Sequence, residues 1–235
     1  MRSGSAWTIT IVNPNTTESM TRTMLDGARR VARPDTRLVG STASRGVDSV
    51  ESNTDEVWGA LAALEQVRAG EAAGSDGYVI ACFGDTGLAA AKETARGPAV
   101  GMTEAALFSA AMVAARFTIV TLPLRTREQS YRVLRETGLG HRCTVRAIEE
   151  PVTEVHEGSL HLLESVLAEA RKGVTEDAAE ALVLGCAGLA DLVEPLTKAL
   201  GMPVIEGVAA AVTMVEGLLA QGLSTSRAGT YAPPA

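Results

Sequence analysis

Two cysteines, Cys82 and Cys186, occupy settings in this 235-residue chain that point to chemistry. Each ends an apolar run, Tyr78-Val79-Ile80-Ala81 before Cys82 and Ala181-Leu182-Val183-Leu184-Gly185 before Cys186. Each is followed by a glycine-containing turn and then by apolar residues at helical spacing. These are Leu88 and Ala91 after Cys82, and Leu189, Leu192, Val193 and Leu196 after Cys186. A thiol where a strand gives way to a helix faces the partial positive charge of backbone N–H groups. That setting is expected to lower its pKa from about 8.5 toward neutrality. Gly84, Gly87, Gly185 and Gly188 let a ligand approach the backbone closely, and a nest of N–H groups there can hold a carboxylate or enolate oxygen.

Two such thiols suit 1,1-proton transfer at a carbon acidified by a neighbouring carbonyl. One Cys as thiolate removes the proton from one face, and the other as thiol delivers one to the opposite face. The roles exchange for the other enantiomer, and the scheme needs neither pyridoxal phosphate nor a metal. A lone free Cys is as readily a small buried hydrophobe. The matched context of this pair favours function, whereas Cys143, inside a predicted strand without flanking glycines, is read as packing. Other schemes fit less well. His141, His156 and His161 are scattered, and His156 and His161 are five apart, off one helical face. No CxxC, HExxH, GxSxG or Walker-type loop is present, so no metal or cofactor is expected.

The elements that position the thiols repeat. A strand over Trp7–Val12 precedes a helix with Met20, Met24, Ala28 and Val31 on one face. A strand near Arg37–Gly40 precedes a helix from about Thr54 with Val57, Leu61 and Leu64 inward. Tyr78–Ala81 and Pro98–Gly101 complete the first set, the latter leading into a helix with Ala105, Ala106 and Phe108. In the second half Phe117–Val120 matches Ile9–Val12 at an offset of 108, and Cys143–Ile148 matches the region of Leu38. Cys186 matches Cys82 at an offset of 104, and Pro203–Ile205 matches Pro98–Val100 at 105. These landmarks imply an α/β protein of two similar lobes with mainly parallel sheets, related by a pseudo-two-fold axis. Parallel sheets bind ligands beyond the C-terminal ends of their strands. Two facing lobes therefore bring both thiols to one cleft, from opposite sides.

Composition sets the partners. The net charge of −7 argues against a nucleic-acid surface, and Arg125, Arg127, Arg132 and Arg135, interleaved with Glu128 and Glu136, read as a solvated helix face. No apolar run is long enough for a membrane span or signal peptide, so a cytoplasmic location and free thiols are expected. The expected partner is a small molecule.

Around the thiols, Phe83 and Gly84 are expected to offer N–H groups beside Cys82, and Ala187 and Gly188 beside Cys186. Asn13 ends the first strand and is a candidate ligand contact. Thr121 is its second-half equivalent, with Thr126 just beyond, and turn or cap roles compete for both. Asn15, Thr16 and Thr17 are N-cap types. Asp85 is read as a cap of the helix after Cys82, because a carboxylate beside the thiol would raise its pKa. Glu104 and Glu206 are read as helix N-terminal carboxylates.

Ile11-Val12-Asn13-Pro14-Asn15-Thr16-Thr17, Cys82-Phe83-Gly84-Asp85-Thr86-Gly87-Leu88, Gly185-Cys186-Ala187-Gly188-Leu189 and Pro203-Val204-Ile205-Glu206-Gly207 closely resemble the hydantoin racemase family. So does Gly222-Leu223-Ser224-Thr225-Ser226 with Tyr231-Ala232-Pro233. The resemblance covers nearly the whole chain. It implies cofactor-independent racemisation of 5-monosubstituted hydantoins, allantoin among them, by two thiols, in a homo-oligomer. It also implies that the helix from about Val208 returns to the first lobe, giving lobes of residues 1–114 plus 208–235 and of residues 115–207. Thr86 stands where the family usually has Pro and Leu189 where it has Met; neither is expected to touch the thiols. Arg45–Glu51 follows the family only loosely, which leaves the substrate's side chain open. Racemisation of aspartate or glutamate would want an Arg placed to clamp the carboxylate, and no such Arg is evident. An arylmalonate-decarboxylase-like reaction needs one thiol rather than two. A non-catalytic two-lobed binding protein has no reason to hold two activated thiols.

Overall fold

Parallel strands are covered on both faces and so are apolar along their whole length. The computed structural model, which describes residues 6–152 and 159–233, follows that rule. β1 (Thr8–Asn13), β3 (Gly77–Ile80), β5 (Phe117–Thr121) and β7 (Ala181–Gly185) are buried almost throughout. β2 (Arg37–Thr42), β4 (Ala99–Gly101), β6 (Cys143–Ala147) and β8 (Val204–Ile205) flank them. Two four-stranded parallel sheets result, ordered β2-β1-β3-β4 and β6-β5-β7-β8. The second order is the first advanced by four strands, as the repeated landmarks require. Val12 lies opposite Ile80 in one sheet, and Thr121 opposite Gly185 in the other. The ends of the two central strand pairs therefore correspond.

The helices are α1 (Glu18–Arg29), α2 (Asn53–Ala73), α3 (Leu88–Thr94), α4 (Met102–Val113), α5 (Arg127–Thr137), α6 (Leu160–Asp177), α7 (Val193–Leu200) and α8 (Gly207–Ala220). The two helices that follow the last strand of each sheet cross over. α4 packs on β7 and α5, α8 packs on β3 and β4, and the two lie against each other. Their residues Met102, Ala105, Ala106, Leu107, Ala110, Val208, Ala211, Val212 and Val215 are buried in one cluster with Ile9, Ile11, Ile119 and Val183 from both sheets. The two halves thus share a continuous core, which fixes how their strand ends face each other. Among the described residues no helix is long and apolar enough to cross a membrane.

Two expected faces differ. α2 leaves Val57 71% exposed and Leu61 41% exposed, and buries Gly59, Ala62, Ala63, Gln66, Val67 and Gly70 instead. Close approach explains the choice. A Cβ at Gly70 would lie 2.6 Å from Cε1 of Tyr78, whose whole ring is buried beneath the helix. Small residues make this contact, so the larger aliphatic side chains turn outward. On α1, Met20, Met24 and Ala28 are buried as expected, but Val31 lies past the helix end and is 40% exposed.

Candidate active site

The chain leaves β3 at Ile80, and Cys82 opens a tight turn in which the Asp85 N–H donates to the Cys82 carbonyl at 2.9 Å. Gly84 and Gly87 take φ of 108° and 82° there, a region glycine adopts without strain. α3 begins only at Leu88, six positions after the thiol, so Cys82 does not sit on its N-terminus. In the second half β7 ends at Gly185 and Cys186 is the N-cap of a 3-10 turn over Ala187–Leu192 that runs into α7. Gly185 must be glycine, because a Cβ would lie 2.6 Å from Cβ of Thr121.

Cys82 and Cys186 line one cleft between the two sheets. Phe83, Ala187, Gly188 and Thr121 line it too, so most of the expected site residues meet. Asn13 and Gly84 do not. Asn13 is fully buried, and its carboxamide donates to Asn15 Oδ1 at 3.0 Å, to the Thr17 carbonyl and to Thr21. It acts one step removed, by fixing Asn15, which does line the cleft. The Gly84 N–H is committed to Thr103 Oγ1 at 2.7 Å, and its carbonyl accepts from Arg132 at 2.8 Å, so it offers a ligand no donor. His141 and His161 bond to the Gly138 carbonyl and to Glu150, away from the cleft, and His156 lies outside the described residues.

Apart from Thr126, which the sequence marks as a candidate beside Thr121, the remaining lining was not foreseen. Met20, Met24, Val50, Leu122 and Val152 form apolar walls, and Thr126 and Gln129 join Asn15 and Thr121 as polar ones. Thr121 Oγ1 is 3.0 Å from Thr126 Oγ1 and donates to the Gly185 carbonyl at 3.1 Å, bracing the residue before Cys186.

Electrostatics overturn one expectation. Burial pushes the Cys82 thiol up to about 12, reinforced by the nearby Cys186, Asp85 and Glu56; only the Thr86 hydroxyl, 3.5 Å from the sulfur, pulls the other way. Burial pushes Cys186 up to about 11, with the Gly188 N–H pulling back and Glu51 and Glu206 adding to the rise. Desolvation outweighs the backbone N–H groups because Cys82 lacks a helix N-terminus and Cys186 caps a short turn. Thr86, expected to stand clear of the thiols, touches Cys82. Cys143 is half-buried outside the cleft, and burial pushes it up to about 12.

The carboxylates sort by helix. Glu206 caps α8, accepting from the N–H groups of Val208 at 2.7 Å and Ala209 at 2.8 Å. The equivalent cap of α4 is Gly101, which has no side chain. Asp85 fills that place rather than capping α3, accepting from the Thr103 and Glu104 N–H groups at 2.8 Å each. A Cβ at Gly101 would lie 2.2 Å from the Asp85 carboxyl carbon. Burial pushes Asp85 up to about 7 against the pull of those N–H groups. Asp85 thereby ties the Cys82 turn to α4. Glu104 accepts from the Gly101 N–H and pairs with Lys92 at 3.0 Å. Arg132 is not the solvated side chain expected: it pairs with both oxygens of Glu56, at 3.0 and 2.7 Å, while holding the Gly84 carbonyl. It clasps α5 of the second half to α2 and to the Cys82 turn of the first.

Comparison with known proteins agrees with this architecture. The family model described as Asp/Glu/Hydantoin racemase matches residues 9–215. The curated hydantoin racemase of Rhizobium meliloti is 41% identical over 227 residues, spanning 96% of this chain and 94% of that one. The structure of allantoin racemase from Klebsiella pneumoniae superposes with a TM-score of 0.95 at 44% identity, covering 98% of this chain and 94% of that one. Allantoin racemase of Pseudomonas fluorescens gives a TM-score of 0.93 at 38% identity, covering 97% of each. The chain belongs to the Asp/Glu/hydantoin racemase family.

Proposed function

We propose that this protein racemises 5-monosubstituted hydantoins, allantoin included, by cofactor-independent proton transfer between Cys82 and Cys186. The observation that carries the reading is the placement of two thiols, from corresponding strand ends of two like sheets, in one cleft. Relatives named for hydantoin and allantoin racemisation, alike along the whole chain, support the substrate class. In the reaction the thiolate of one Cys takes the proton from C5, forming S–H as the C5–H bond breaks. The electron pair moves onto the C4 carbonyl oxygen as an enolate. The other thiol then gives its proton to the opposite face of C5, and its S–H pair stays behind as the new thiolate. The pair ends with its charge exchanged, ready for the other enantiomer. Asn15, Thr121 and Gln129, with the backbone of Phe83 and Ala187, face the substrate beside the thiols.

Polarimetry tests this. L-5-isobutylhydantoin and (S)-allantoin are expected to lose optical rotation with the protein present, well above the spontaneous rate in the same buffer. A loss no faster than buffer on both would sink the hydantoin substrate while leaving the fold intact.

The assembly is proposed to be a homo-oligomer, as the family resemblance implies. The exposed Val57, Trp58 and Leu61 on one stretch of α2 support it, since exposed apolar clusters mark contact surfaces. Sedimentation is expected to give a mass above 24.4 kDa; a monomer at micromolar concentration would refute it. All three cysteines are free thiols, which suits a reducing compartment such as the cytoplasm.

A further inference from the structure

The cleft contains several polar side chains, and all but one already have partners. Asn15 Oδ1 accepts from Asn13 and from the Thr17 N–H, and its Nδ2 lies 3.3 Å from the Met20 sulfur. Thr121 and Thr126 bond to each other and to the carbonyls of Gly185 and Pro123. Gln129 differs. It lines the same cleft and is only 7% exposed, yet its carboxamide has no hydrogen-bond partner among the described residues. Its amide oxygen and nitrogen are not among the side-chain polar atoms sealed from solvent, so they open on the cleft, where a ligand can meet them.

Its position is constrained as well. Gln129 lies in the first turn of α5, against the Cys82 turn: a Cβ at Gly84 would be 3.2 Å from Gln129 Cβ and 3.5 Å from its Oε1. Glycine at 84 therefore admits the Gln129 side chain beside the thiol. The walls contributed by Met20, Met24, Val50, Leu122 and Val152 are apolar and suit a ring substituent, not a ring edge of N–H and C=O groups.

We propose that Gln129 is a substrate-binding residue that recognises the amide edge of the hydantoin ring. Its Nε2–H donates to a ring carbonyl and its Oε1 accepts from the adjacent ring N–H. The inference rests on the hydantoin reading above and assigns the part of the substrate this residue meets. The ring edge is common to every hydantoin, whereas a ureido tail belongs to allantoin alone, so the two contacts predict different substrate patterns.

The experiment compares wild type, Gln129→Met (similar in size, no donor) and Gln129→Glu (the acceptor kept, the donor lost). Racemisation of (S)-allantoin and L-5-isobutylhydantoin is measured with each. Binding of unsubstituted hydantoin, which has the ring edge and no stereocentre, is measured by calorimetry. Gln129→Met is expected to lower kcat/KM on both substrates by a similar factor, about 10²-fold, and to weaken hydantoin binding by about 10-fold. An unchanged rate on both substrates would overturn the proposal, as would a loss confined to allantoin, which would move the contact to the ureido tail. If Gln129→Met does not fold, as judged by its thermal transition, Gln129→Glu decides by the same two patterns. Wild type inactive on both substrates would count against the hydantoin reading itself; an active wild type with unaffected variants counts against Gln129 alone.

Discussion

Replacing either thiol, as Cys82→Ser or Cys186→Ser, is expected to lower racemisation by about 10²–10⁴-fold, the worth of a positioned acid or base. A serine hydroxyl at either place fills nearly the same space but ionises far too weakly to serve as the base. The packing around Ala81 and Ala187, both buried, is left intact, so the loss reports chemistry rather than unfolding. Each variant is expected to keep one partial reaction. With Cys186 replaced, Cys82 still faces C5–H of one enantiomer and can remove the proton and return one to the same face. In D₂O that enantiomer gains deuterium at C5 without inverting, while the other exchanges at the background rate. Cys186 does the reverse when Cys82 is replaced. Proton NMR of the C5–H signal alongside polarimetry separates exchange from inversion and assigns an enantiomer to each thiol. Full racemisation by either variant would rule out the two-thiol scheme, and exchange of both enantiomers by a single-thiol variant would mean that both faces of C5 are served from one side.

The parts of the fold that depend on short-range pattern were legible in the sequence. Apolar runs ending in Cys82 and Cys186 gave two strands whose ends correspond, and the near-constant offset of the landmarks gave two sheets with matching strand order. Glu206 was legible as a helix cap because cap and helix adjoin in sequence. What escaped notice depends on distant approach. Asp85 caps α4 rather than the nearer α3, since Gly101 has no side chain to do so. Val57 and Leu61 keep helical spacing, but small residues were needed where α2 crosses Tyr78. Gln129 and Arg132 sit in a charged stretch that reads as solvent-facing, and only the closing of one half over the other buries Gln129 and aims Arg132 at Glu56. The thiol electrostatics failed for a related reason: a strand-to-helix junction is local, whereas desolvation is set by everything the fold packs around the thiol.

That desolvation makes the pH profile the sharpest remaining test. Activity in the free enzyme requires one thiolate, and burial holds Cys82 near 12 and Cys186 near 11. Below both values the thiolate fraction rises tenfold per pH unit. kcat/KM is therefore expected to climb about tenfold per unit from pH 7 to pH 9 and to show no plateau there, after subtraction of base-catalysed racemisation in buffer. A plateau at or below pH 8.5 would show instead that backbone N–H groups govern the thiols in the working site. Stability has the opposite sign. A thiol whose folded pKa is raised above its ordinary value of 9.0 favours the folded state below that value, and the contribution is lost as pH rises toward the folded pKa. Tm is therefore expected to fall above pH 9 as the rate is still rising. Cys143 shares the upward shift, to about 12, but lies outside the cleft. Cys143→Ala is expected to soften the fall in Tm between pH 9 and 11 while leaving the slope of kcat/KM unchanged. A slope that changed with Cys143→Ala would mean that the alkaline rise reflects opening of the fold and not ionisation of the two cleft thiols.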